Sequence, residues 1–243
     1  MEKHTQARTI IDMLKLEKTI KMWKYKVNNK EEAGKFVRML IESHSQKERV
    51  NIVIPGGRSI VPILNELKNV GKNTFEKVHF YLSDERVNGE KNKDMLYENH
   101  FNRSISEGIL NEEQIHFPEI NSDIEKTIDD YKKELPEKFD IIILGVGEDG
   151  HVASLFPGNE ENYSNEKVIF IENSPKEPPK RVSLSFNAFN KDAVVVLLFL
   201  GDEKKEALKL TFQEGNELEE KDCPASHFLD YEELNIITDQ NFG

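Results

Sequence analysis

The chain has 243 residues, enough for one substantial α/β domain or two small ones. Its formal net charge of −12 excludes the basic footprint that non-specific nucleic-acid binding requires, so any anion must be held by locally clustered Arg and Lys. The longest uninterrupted apolar run, Ala193 to Leu200, falls far short of the roughly 20 residues that span a bilayer, and Cys223, the only cysteine, permits no intrachain disulfide. The N-terminal stretch carries charges throughout and has no apolar signal-peptide core, so a reducing, cytosolic setting without membrane attachment is expected. Residues 1–22 read as an N-terminal extension and 23–243 as a single domain, because no linker composition interrupts the order of elements.

Short β-branched runs alternate with helical patterns, which predicts βαβ units around a mainly parallel open sheet flanked by helices on both faces. "TIKMWKYKV" alternates with period two and reads as an edge strand. "NKEEAGKFVRMLIESH" follows as a helix capped by Asn29, with Phe36, Val37, Leu40 and Ile41 on one face. "VNIVI" is a strand and "PGGRS" a turn; "IVPILNELKNV" is a helix that tolerates Pro62 in its first turn. "KVHFYL" is a strand, "SDERVNGEKN" a polar loop beyond it, and "DMLYENHFNRSI" the centre of another helix. Asp123 caps a helix over "IEKTIDDYKKEL", and the strand "FDIIILGV" comes next. The later strands are "KVIFIE", "RVSLSF", "AVVVLLFL" and "LNIIT", with "DEKKEALKLTFQ" the last clear helix.

Ligands of open parallel sheets sit outside the carboxyl ends of the strands. Four polar clusters fall at or near such ends here: "PGGRS", "SDER", "GEDGH" and "GDEKK". Gly145, Gly147 and Gly150 spell G-x-G-x-x-G, and Glu172 stands near the offset of a ribose-binding acid. A dinucleotide turn, however, needs a full helix after the third glycine, and "HVASLF" ends at Pro157 and Gly158. His151 can be an incidental surface histidine. With Asp149 two positions away between glycines at a strand end, it also has what a general base needs, a carboxylate to orient the imidazole. That spacing does not name the reaction.

"FDIIILGVGEDGHVASLFPG" closely resembles the signature of the 6-phosphogluconolactonase family, enzymes of the pentose phosphate pathway that open a phosphorylated sugar lactone. "YLSDERV", "NSPKEPPKRVSLSF" (Ser183 in place of a threonine), "FLGDEKKEAL" and "CPASHF" resemble further family segments in order and approximate spacing, so the likeness runs from about Ile52 to Asp239. The resemblance implies the fold of sugar-phosphate isomerases and CoA transferases, a small phosphorylated lactone as the binding partner, and no metal or redox cofactor. By that resemblance His151 is the base that activates water, Asp149 its orienting group, and Arg86 a stabiliser of developing negative charge. Asp84 stands with Arg86 at the substrate site. Gly56, Gly57, Arg58 and Ser59 form the phosphate turn, closed by Arg181 and Lys204.

Three positions depart from the family pattern. Arg58 takes the place of a serine in the glycine loop, Asn88-Gly89 replaces Val-Pro, and Met95-Leu96 replaces two polar residues before Tyr97. The nearest rival, an aminosugar-phosphate deaminase-isomerase, carries a glutamate five positions after the histidine, where this chain has Phe156. A sugar-phosphate sensor without turnover is the other alternative, and the retained Asp149 and His151 argue against it. Oligomeric state is not legible in the sequence.

Overall fold

The computed structural model describes residues 21–57, 60–212 and 222–242. Residues 1–20, and Arg58 and Ser59 of the expected phosphate turn, lie outside the described residues. Seven strands form one sheet in the order β1 (Lys21–Lys26), β10 (Glu233–Thr238), β9 (Val194–Phe199), β6 (Ile141–Gly145), β2 (Val50–Ile54), β3 (Val78–Leu82), β5 (Ile115–His116). Every pairing within it is parallel.

The apolar runs follow from burial on both faces. Along β6, Ile141 and Ile143 enter one core while Ile142 and Leu144 enter the other. β9 divides in the same way, Val196 and Leu198 opposing Val195, Leu197 and Phe199. A strand covered on both sides cannot alternate with polar residues, because each face needs an apolar set.

The first core is closed by α1 (Lys30–Ser43) and α2 (Val61–Leu67), through Ala33, Val37 and Ile41 and through Ile63 and Leu64. A helical run over 92–106 adds Met95, Leu96 and Phe101; it opens with α3 (Asn92–Leu96) and contains a π turn at Tyr97–Phe101. The second core is closed by α4 (Ile124–Glu134) and α5 (Lys205–Thr211). The two predicted caps are in place: the Asn29 side chain accepts from Glu32 N, and that of Asp123 from Lys126 N. Pro62 sits in the first turn of α2.

Two expectations need correction. "SDER" is not all loop: Asp84–Arg86 forms a short strand, β4. It belongs to a separate antiparallel sheet ordered β4, β8 (Arg181–Leu184), β7 (Val168–Ile171), so "KVIFIE" and "RVSLSF" leave the parallel sheet. Three residues carry no readable period, and a short apolar run looks the same in a parallel or an antiparallel strand. β5 is only two residues long and has no sequence signal of its own.

Two consequences for stability follow. Ile143 is fully buried between the sheet and the first core. Ile143→Ala is expected to cost about 2–5 kcal/mol, read as a lower urea midpoint with an unchanged slope. The second concerns acid. Burial pulls the imidazoles of His79, His100 and His116 down to about 4, with Arg49 adding to it at His79 and His116. The unfolded chain takes up these protons first, near ~6.5, so their contribution is whole above that pH and is lost as pH falls towards 4. Glu85 works the other way, since burial pushes its carboxyl up to about 7, and it offsets part of the loss. The urea midpoint should therefore drop on acidification from pH 6.5 to about 4, and drop less in His100→Gln; a flat or rising midpoint would contradict this.

Candidate active site

The turn after β6 is built around an imidazole that leaves no room for a side chain beside it. Gly147 N donates to His151 O at 2.8 Å, and Gly150 N to Gly147 O at 3.1 Å. A Cβ on Gly147 would lie 2.0 Å from Nδ1 and Cε1 of His151, so only glycine lets the ring fold back over its own turn. Gly150 has φ +84°, and a Cβ there would meet Cys223 Sγ at 2.6 Å. The "CPAS" segment thus supports the turn from below, and Ala225 N donates to Gly150 O at 3.0 Å.

Inside this turn the Asp149 carboxylate accepts from His151 Nδ1 in a short contact and from His151 N at 3.3 Å. Burial alone would raise the Asp149 carboxyl, but the hydrogen bonds and charge of His151, with Lys176 beyond, hold it well below the usual carboxylate range. An ionised Asp149 assigns the ring proton to Nδ1 and leaves the Nε2 lone pair free. The imidazole is largely buried and rests on Phe156, ring centroids 4.5 Å apart.

The small sheet supplies the cations. Arg86 and Arg181 are register partners across β4 and β8. Like charges directly opposite each other are destabilising, so the pair needs compensation. Asp84 gives part of it from 3.8 Å, its Oδ2 to Arg181 Nη1. Burial draws the Arg181 pKa down, with Asp84 opposing that and Arg86 adding to it.

Arg181 is otherwise tied to the backbone, donating from Nε to Pro178 O at 3.1 Å and from Nη2 to Lys176 O and Glu177 O, each at 3.2 Å. Ser154 Oγ donates to Asp84 Oδ2 at 2.6 Å and lies 3.5 Å from Arg181 Nη1, while Ser154 N donates to Ser183 Oγ at 3.3 Å. The histidine turn and the arginine pair are therefore one connected network. Arg86 is less committed: Nη1 donates to Glu90 O at 2.9 Å, and its buried Nε has no partner.

Glu85 holds this strand to α3. Its carboxylate accepts from Arg86 N, Asn92 N and Lys93 N, each at 2.7 Å. Asn92 Nδ2 then donates to Asp84 O at 3.0 Å, and the same amide group fills the space where a Gly56 Cβ would be. Met95 and Leu96, the departures before Tyr97, are buried in the first core and do not face the site.

A cavity of about 260 Å³ gathers these elements at the carboxyl ends of the parallel strands. Of the sequence-derived candidates, Gly56, Gly57, Asp84, Arg86, His151, Arg181 and Lys204 line it, and Asp149 reaches it through His151. Lys204 comes from the turn after β9, its ammonium 3.6 Å from the Glu203 carboxylate. Sequence reasoning missed three polar lining residues, Lys30, Asn92 and Glu203. Glu203 was within reach, as part of the "GDEKK" cluster. Nothing local marks Asn92 or Lys30, which open helices and read as solvated first-turn residues.

The chain is similar to several known proteins. It is 36% identical over 197 residues to the 6-phosphogluconolactonase of Borreliella burgdorferi, covering 77% of this chain and 83% of that protein. The 6-phosphogluconolactonase of Thermotoga maritima is 32% identical over 165 residues, 65% of this chain and 73% of its own length. The crystal structure of that Thermotoga maritima enzyme superposes with a TM-score of 0.75 at 26% identity, covering 90% of this chain and 99% of the other. A monomeric glucosamine-6-phosphate deaminase shares the fold at a TM-score of 0.69 and 17% identity, covering 90% and 97%. The family of glucosamine-6-phosphate isomerases/6-phosphogluconolactonase matches residues 28–236, so every strand end that lines the cavity falls within it: the chain belongs to that family.

Proposed function

We propose that the chain is a carboxylic-ester hydrolase that converts 6-phospho-D-glucono-1,5-lactone to 6-phosphogluconate. The observation that carries this reading is one cavity holding both an Asp149-oriented imidazole and a paired-arginine cation site. A lactone is an activated ester; its hydrolysis asks for a positioned water, a base and stabilisation of charge at the carbonyl.

His151 Nε2 takes a proton from water as the water oxygen bonds to the lactone carbonyl carbon. The carbonyl electrons move onto oxygen, and Arg86, whose side chain lines the cavity, is the cation that meets this charge. The tetrahedral centre then collapses. The bond from C1 to the ring oxygen breaks, the ring oxygen receives the proton from His151, and the new carboxylic acid ionises to solvent. Asp149 stays ionised throughout and stabilises the imidazolium in between.

We assign the phosphate to Gly56, Gly57, Arg181 and Lys204, which line the cavity, and by the family resemblance to Arg58 and Ser59, which follow Gly57 in the sequence; Asp84 sets the Arg181 guanidinium. In this reading the lactonase domain takes in β1 from Lys21 onward, so the expected boundary after residue 22 falls within a strand. Among the described residues no helix is long and apolar enough to cross a membrane, and we place the enzyme in the cytosol. The deaminase alternative needs a carboxylate where Phe156 stands, and an apolar ring cannot shuttle a proton.

Freshly prepared 6-phosphogluconolactone, followed by acid release above the spontaneous rate, tests the proposal. His151→Ala should lower kcat by about 10²–10⁴ while KM stays near that of wild type. Wild-type protein with no acceleration, or ammonia release from glucosamine 6-phosphate instead, would remove the assignment. Asp149→Asn keeps the shape of the turn but frees the ring to adopt the other tautomer. It should cut kcat by about 10²-fold or more with little change in KM; an unaltered kcat would mean that Asp149 does not orient the base.

A further inference from the structure

Four cations line the cavity among the described residues: Lys30, Arg86, Arg181 and Lys204. Lys30 is the first residue of α1, which follows β1, the edge strand at the far end of the parallel sheet. β1, β10 and β9 end in register, Lys26 beside Thr238 and Thr238 beside Phe199, so the short link after β1 brings the start of α1 to the rim where β9 ends, and Lys30 shares the cavity with Leu198 and Leu200.

Two features separate Lys30 from a solvated helix residue. A cation at a helix N-terminus opposes the macrodipole, which favours acids there. α1 already has the favourable arrangement without it. Asn29 caps Glu32 N, Glu31 and Glu32 occupy the first turn, and the Glu32 carboxylate accepts from Asn28 N at 2.8 Å. The second feature is that no carboxylate pairs with Lys30 among the described residues, whereas Lys204 has Glu203 at 3.6 Å and Arg181 has Asp84 at 3.8 Å.

Counting donors shows where Lys30 is needed. Nε and Nη2 of Arg181 are taken up by backbone carbonyls, so that guanidinium offers charge more than free N–H groups. Among the described residues Asp84 and Glu203 are the carboxylates of the lining, which leaves two positive charges in excess there. Without Lys30 the excess is one.

We propose that Lys30 is a further substrate-binding residue of this cavity, an ammonium that pairs with the phosphate of the sugar lactone. The inference rests on the reading of the substrate as phosphorylated. Lys30 touches the anion and takes no part in the transfer of the water proton, so it contributes equally to ground-state and transition-state binding and acts on KM alone.

The test compares Lys30→Met and Lys30→Arg with wild type in the full chain, using 6-phospho-D-glucono-1,5-lactone, unphosphorylated glucono-1,5-lactone, and inorganic phosphate titrated by calorimetry. Lys30→Met should raise KM for the phospholactone about tenfold and weaken phosphate binding by a similar factor, the size of one charge-assisted hydrogen bond. Its kcat, its hydrolysis of the unphosphorylated lactone and its thermal midpoint should stay at wild-type levels, and Lys30→Arg should recover most of the affinity. Unchanged KM and phosphate affinity in Lys30→Met would overturn the proposal, and so would an equal loss on both lactones. If wild type accelerates neither lactone, the lactonase reading fails, and the phosphate titration still decides Lys30: no binding by wild type, or equal affinity in the variant, overturns it.

Discussion

Two guanidinium groups facing each other across a short antiparallel ladder set the terms for the rest of this site. Arg86 and Arg181 are held in register by β4 and β8, and neither strand has a slack residue that would let them part. Repulsion between them is tolerated because Asp84 lies against Arg181, because Ser154 and Ser83 orient that carboxylate, and because Glu85 fixes the strand through three backbone amides. A local excess of positive charge on a chain of net charge −12 is a costly arrangement unless something anionic visits it. The ladder holds the two side chains in place through backbone pairing, so their arrangement does not depend on side-chain reorganisation.

The ladder also explains why the histidine and the cations face one cavity. Ser154 belongs to the histidine turn, yet it donates to Asp84 and receives Arg181, and its amide reaches Ser183 on β8. Ala153, just before it, has φ +50°, a conformation uncommon for a residue with a side chain. The turn is bent to make that junction. The parallel sheet delivers His151 and the antiparallel sheet delivers the arginines, and Ser154 joins the two.

Much of the frame was legible in the sequence because it obeys short-range rules. Asn29, Pro62 and Asp123 mark helix starts through chemistry confined to one turn, and the two-faced strands announce themselves as unbroken apolar runs. The clusters after β2, β3, β6 and β9 were readable as one site because a parallel sheet places all its carboxyl ends on one rim. What was not legible depends on long-range geometry. β4 is three residues long, too short to show a period, and β7 and β8 look like any buried strands until their partners are known. Met95 and Leu96 read as lost polar contacts only while their direction is unknown; they belong to the core, and Asn92 is the residue of that helix that faces the cavity. Lys30 is brought to the rim by the short link after β1, whose place beside β10 and β9 no local pattern reports.

Phe156 shows how one fold is committed to one chemistry. Its ring lies under the imidazole at 4.5 Å and under the Arg181 guanidinium at 5.7 Å, and it is itself almost fully buried. An apolar floor lowers the local dielectric, which strengthens both the contact between Asp149 and His151 and the field of the arginine pair. It also leaves no group beneath the histidine to relay a second proton. Ring opening of an aminosugar followed by isomerisation needs such a relay, because protons must enter and leave at different carbons. Lactone hydrolysis needs one base that gives back the proton it took. A single imidazole resting on an apolar ring and oriented by Asp149 has the form that such a step requires.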